Sequence, residues 1–163
     1  MTKQISFSIF ALCIVTLVQE FGFARLALFE AMPDALAVFI AFLAVTQGQK
    51  TSTSFGFAAG ILAGIFSGNL GLHTLAITTG GFLAGYFHSP EDSHATAKQK
   101  TRRFYVAVLT AEFSSHTIIT SVYNPLGLSP EYRIVTLGLL ASLLSLTLAF
   151  IANRLILRKT FAS

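Results

Sequence analysis

The stretch that decides the fold runs Phe55-Gly56-Phe57-Ala58-Ala59-Gly60-Ile61-Leu62-Ala63-Gly64-Ile65-Phe66-Ser67-Gly68-Asn69-Leu70-Gly71. Gly56, Gly60, Gly64 and Gly68 fall at every fourth position, with Ala59 and Ala63 beside them and no charge between. Four residues is just over one helical turn, so on a helix these glycines form one face nearly free of side chains. In lipid there is little hydrophobic drive between helices, and close backbone approach does more of the work; glycine permits it. Such a face serves either packing within the chain or the docking of a partner helix. Gly81 and Gly85 repeat the spacing further on, next to Gly80 and Ala84.

Apolar blocks extend to both sides of this ladder. They are Ile5 to Val18, Ala35 to Val45, Phe55 to Phe66, Leu70 to Phe87, Phe104 to Tyr123 and Ile134 to Ala152. Of the 163 residues 53% are hydrophobic and only 11% charged, against roughly 25% charged in soluble domains. The expected fold is an all-α integral membrane protein, a single domain over residues 1–163. It is a compact bundle of six transmembrane helices at about 4–20, 34–48, 52–67, 70–88, 104–123 and 133–157. The last three blocks have the length that a ~30 Å hydrocarbon core requires. The first three are short and need their uncharged neighbours, or tilt, to span. Blocks two and three could instead form a re-entrant pair.

Charge gives a direction. With six spans and the N-terminus inside, the cytoplasmic stretches hold Lys3, Lys50, Lys98, Lys100, Arg102, Arg103, Arg154, Arg158 and Lys159, and the outer ones only Arg25 and Arg133. The bias places both termini in the cytoplasm and favours an even number of spans. The net charge of +4 therefore marks orientation and not a nucleic-acid partner. Lys3 and the following apolar run resemble a signal peptide. Gln19, Glu20 and Phe21 supply no small-x-small cleavage site, so the run reads as a retained first helix. The lone Cys13 has no partner for an internal disulfide.

Between the blocks, Glu20 to Pro33 reads as an amphipathic segment at the outer interface. Pro33-Asp34 opens the second helix, and Ser129-Pro130-Glu131 opens the last. Ser67 to Gly71 is an uncharged tight turn, and Ser89 to Arg103 is one long cytoplasmic loop.

The chemistry-bearing residues cluster on the fifth block. Glu112 lies near its middle, where a charge costs about 2.5–3.5 kcal/mol on insertion scales. It must face the bundle interior, be protonated, or have a partner. Ser115, His116, Tyr123 and Tyr105 fall within the same helical arc, and Asn69 is counted with this polar set. It reads as a buried packing network, a substrate or ion site, or a contact to a partner helix. A hydrolase set from Ser114 or Ser115 with His116 and Glu112 is not supported, since adjacent residues on a helix diverge and no oxyanion donor is visible. His73, His88, His94 and His116 show no metal-ligand spacing, and no cofactor is expected. Lys98, Lys100, Arg102 and Arg103 form a basic loop suited to anionic lipid or to a cytoplasmic partner.

From Pro33 to Phe87 the sequence resembles the MreD family of bacterial rod-shape proteins. The resemblance is carried by Pro33-Asp34-Ala35-Leu36, by Gly56-Phe57-Ala58-Ala59-Gly60-Ile61-Leu62, and by Ser67-Gly68-Asn69-Leu70-Gly71-Leu72-His73-Thr74-Leu75. It departs at Gly64, where the family often carries Asp. The resemblance implies a non-enzymatic inner-membrane scaffold. Its partners would be MreC, MreB, the RodA glycosyltransferase and a class B penicillin-binding transpeptidase, in the complex that elongates the cell and maintains rod shape. The single membrane helix of MreC would suit the groove at Gly56, Gly60, Gly64 and Gly68. The family also resembles, in fold, the substrate-binding S subunits of energy-coupling-factor vitamin transporters. Such a subunit is the competing expectation. An integral lipid-modifying enzyme would need clustered acids or histidines at the membrane surface, which are lacking.

Overall fold

The computed structural model describes residues 2–26, 31–90 and 95–157. The architecture is all-helical. Six helices follow in order: α1 (Thr2–Phe21), α2 (Ala35–Gln47), α3 (Gln49–Ser67), α4 (Leu70–Ala84), α5 (Ala97–Val122) and α6 (Gly138–Ala152). Wider π-helical turns, Tyr132–Leu137 and Asn153–Leu157, extend α6 at both ends. The resulting rod from Tyr132 to Leu155, 24 residues, is long and apolar enough to cross a membrane. Ile5–Phe21 and Ala35–Gln47 are apolar but shorter. The 13 residues of α2 rise only about 20 Å.

Local sequence sets the boundaries. The Asp34 carboxylate accepts from the main-chain N–H of Leu36 at 2.7 Å and of Ala37 at 3.1 Å. It thereby satisfies donors that a helix start leaves open. Gly48 at φ 88° separates α2 from α3, and Gly68 at φ 74° ends α3, both in backbone regions that disfavour a side chain. α5 begins at Ala97 rather than near Phe104 because Thr96 and Gln99 form a reciprocal capping box. The basic residues read as loop are thus its first turns. The middle of the predicted amphipathic segment, residues 27–30, lies outside the described residues, as do residues 91–94 of the long loop.

α2 is the central helix: Leu36, Ala37, Val38, Ile40, Ala41, Leu43, Ala44 and Val45 are all buried, and it contacts the five other helices. The outer helices are inside out by the standards of water-soluble proteins. On α1 the buried positions are Ser8, Leu12 and Thr16, one turn apart, while Phe7 and Phe10 are 72% and 64% exposed. On α6 the polar Ser142 and Ser145 are buried and Leu139, Leu143, Phe150 and Ile151 are exposed. Serine crosses between helices: Ser52 Oγ donates to the Gly81 carbonyl (2.9 Å) and Ser115 Oγ to that of Ala76 (3.0 Å).

The glycine ladder has an occupant from the same chain. A Cβ at Gly60 would lie 2.5 Å from the Thr74 Cα, and one at Gly64 would lie 2.5 Å from the Leu70 Cα. At Gly56 it would meet the Ile77 carbonyl at 2.8 Å. Backbone of α4 therefore fills the groove. This corrects the expectation that Gly56, Gly60, Gly64 and Gly68 receive a partner's helix. Gly68 is no part of the seam: nothing lies within 4 Å of its would-be Cβ, and its role is the left-handed helix stop.

A leucine at Gly60 must push two backbones apart, and overpacking of this kind costs about 1–3 kcal/mol or more. Gly60→Leu is expected to lower the thermal midpoint of the detergent-solubilised protein sharply or to abolish its monodisperse peak. Gly71→Ala, at a position with open space, is expected to behave as wild type. Equal stability of the two variants would contradict the close-packed seam.

Candidate functional site: a polar cavity at one end of the bundle

Three helices end and three begin at the same face of the bundle. The ends of α1, α3 and α5 and the starts of α2, α4 and α6 enclose a cavity of about 410 Å³. The turn 123–128 between α5 and the last helix stands at its rim, exposed except at Leu128. The volume is within the range of small-molecule sites, roughly 300–1,000 Å³.

Its wall is largely apolar, but it gathers titratable side chains from several helices. Glu112, only 5% exposed, faces Asp34 across the α2–α5 interface, close enough for the two carboxyl groups to interact. Two buried carboxyl groups side by side favour one shared proton over two charges. Asp34 is fixed from both sides. Its main-chain N–H donates to Ser145 Oγ of α6 at 2.8 Å. Gln19 of α1 accepts from Ala35 N–H at 2.8 Å and donates to the Pro33 carbonyl at 3.3 Å. The Pro33-Asp34 corner is thereby tied to α1 and α6 and faces α5.

Two histidines and an arginine complete the wall. His73, in the first turn of α4, and His116, one turn beyond Glu112, both line the cavity. The His116 ring lies beside the Arg133 main chain. Arg133, 8% exposed, sends its guanidinium back to the Thr120 carbonyl of α5. Glu112 Oε2, His116 Nε2 and Arg133 Nε are buried with no hydrogen-bond partner.

The structure divides the polar set read from the sequence. Glu112, Ser115, His116 and Tyr123 line the cavity, although Ser115 is engaged with α4 and Tyr123 is an exposed residue at the rim. Tyr105 belongs elsewhere: it lies toward the opposite end of α5, where its hydroxyl accepts from Asn153 at 3.0 Å. Asn69 is exposed in the α3–α4 turn, and its side-chain amide reaches the nearby Ser67 carbonyl at 3.5 Å. These two positions are corrections, since a 100° arc ignores how far apart residues lie along a helix. Ser114 hydrogen-bonds the carbonyls of Thr110 and Ala111 on its own helix. Of the basic loop, Lys98, Lys100, Arg102 and Arg103 sit in the first turns of α5, and Arg103 donates to the His88 carbonyl at 3.1 Å.

Sequence reasoning missed Asp34, His73 and Arg133 as members of one site, taking them as a helix start, a motif residue and a topology charge. A signal was present. In an alternating bundle, titratable residues at the starts of the second, fourth and sixth helices fall at one end, with the C-terminal half of the fifth. Among the described residues no group of three or more His, Cys, Asp or Glu side chains is placed to hold a metal ion.

No protein-family model, curated protein or solved structure matches the chain.

Asp34→Ala removes a helix cap and leaves the buried Glu112 carboxyl alone, two losses of about 1–2 kcal/mol each. Its thermal midpoint in mild detergent is expected to fall clearly, whereas Asp34→Asn, which caps and can still donate to Glu112, is expected to stay near wild type. A double-mutant cycle of Asp34→Ala with Glu112→Ala should show coupling of at least about 0.5 kcal/mol. Strict additivity would contradict the pair.

Proposed function

We propose that this chain is a six-span, non-enzymatic scaffold of the bacterial inner membrane of the MreD kind. It would work in the cell-elongation complex with MreC, MreB, RodA and a class B penicillin-binding transpeptidase. The observation that carries this reading is where the residues of the resemblance lie. Asp34, Ser67 and His73 line one cavity, and Gly56 and Gly60 admit α4. The motif residues therefore act together in building one end of the bundle. Gly64, where the family often has Asp, is filled by Leu70 of α4, and the intramembrane acids of this chain are Asp34 and Glu112.

A membrane setting is supported by the inside-out helices, since exposed phenylalanines and buried serines suit surroundings that are themselves apolar. Orientation is supported by the distribution of charge. Lys50, Lys98, Lys100, Arg102, Arg103 and Arg154 fall at the end remote from the cavity, and Arg133 falls at the cavity end. By the positive-inside rule the cavity then faces the periplasm and both termini the cytoplasm. With the glycine seam occupied, an MreC helix would have to meet one of the outer faces of the bundle.

The second reading, a substrate-binding subunit of energy-coupling-factor type, is favoured by the cavity itself. Purification of the tagged chain from mild detergent separates the two. The scaffold reading expects MreC, with RodA and the transpeptidase, in the eluate. A transporter ATPase module in their place, with nanomolar binding of a vitamin by isothermal titration, would contradict it.

A further inference from the structure

The three unpartnered atoms of the cavity ask for complementary groups. Arg133 Nε is a permanently cationic donor and requires an acceptor. Glu112 Oε2 belongs to the carboxyl pair and is suited to a cationic donor. His116 Nε2, one turn from Glu112, serves in either sense according to tautomer. Leaving a buried polar atom unpaired costs about 1–3 kcal/mol, more for a charged group. The rim turn gives the cavity an entrance, and Leu36, Ile77, Leu137 and Ala141 supply an apolar floor.

We propose that this cavity is a binding site for a small zwitterion, an amino acid or similar amino-carboxylate. The ammonium group would sit at the Asp34–Glu112 pair and the carboxylate at Arg133, with His116 between. Opposite charges on the wall discriminate against ligands with one charge only, because such a ligand leaves one wall group unpaired. The site goes beyond the scaffold role and does not depend on which proteins co-purify with the chain. Water filling the same space is the competing occupant, since a polar cavity of this size accepts it.

The test uses the full chain in detergent, screened by thermal shift and then by isothermal titration. The probes are the common amino acids, with propylamine and propionate as single-charge controls. One or more amino acids are expected to raise the midpoint and to bind at least about tenfold more tightly than either control. Glu112→Gln and Arg133→Gln are each expected to weaken binding about tenfold or more, and Arg102→Gln, at the opposite end, to leave it unchanged. Should the cavity variants fail to fold, the comparison with the controls on the unaltered chain decides. No binding of any amino acid to the folded chain, or equal binding of zwitterions and controls, overturns the proposal in favour of water. Unchanged binding in folded Glu112→Gln and Arg133→Gln would place the ligand elsewhere and overturn it equally.

Discussion

Close backbone contact, with serine hydroxyls bonded across helix interfaces, orders the packing of this bundle around its apolar central helix. Ser8, Thr16, Ser52, Ser115, Ser142 and Ser145 are all turned inward, while on α1 and α6 large side chains such as Phe7, Phe10, Leu143 and Phe150 are left outside. The helices approach closely where small residues allow their backbones to touch. α4 shows this on two sides: it fills the ladder of α3, and a Cβ at its Gly80 would lie 2.5 Å from Ser115 Oγ of α5.

That constraint explains the importance of the Asp34 corner. α2 is the most enclosed helix and starts inside the bundle, where an open helix end would be costly. Asp34 closes it with its own carboxylate, and Gln19 and Ser145 hold the flanking backbone. The corner then sets a second carboxyl against the buried Glu112 of α5. The cavity lies beside this pair, with Asp34 on its wall.

Much of the fold was legible from periodicity and charge. Apolar blocks separated by glycine, proline and short polar stretches located every helix, because the six blocks correspond to the six helices one for one. The exception was the start of α5, where Thr96-x-x-Gln99 set the boundary ahead of four basic residues. The glycine ladder was legible as a groove, but not its occupant, since spacing on one helix carries no information about what faces it. The turn Ser67 to Gly71 is so short that α4 must fold straight back on α3, which is the physical reason the groove closes on itself. Glu112 and His116 were legible as anomalies on an apolar helix. Asp34 and Arg133 were hidden by ordinary local roles, a helix cap and a flanking charge, and only the bundle brings them within reach of α5.

The central claim is that an apolar bilayer surrounds an alternating bundle whose cavity end and basic end lie on opposite sides. Cysteine labelling in intact cells tests it most directly, with Cys13 replaced by serine and a single cysteine placed at Ser129 or at Lys98. A membrane-impermeant maleimide should label the Ser129 site from outside, and the Lys98 site only after the membrane is permeabilised. Labelling of both sites from the same side, or recovery of the chain in the aqueous fraction, would contradict the account.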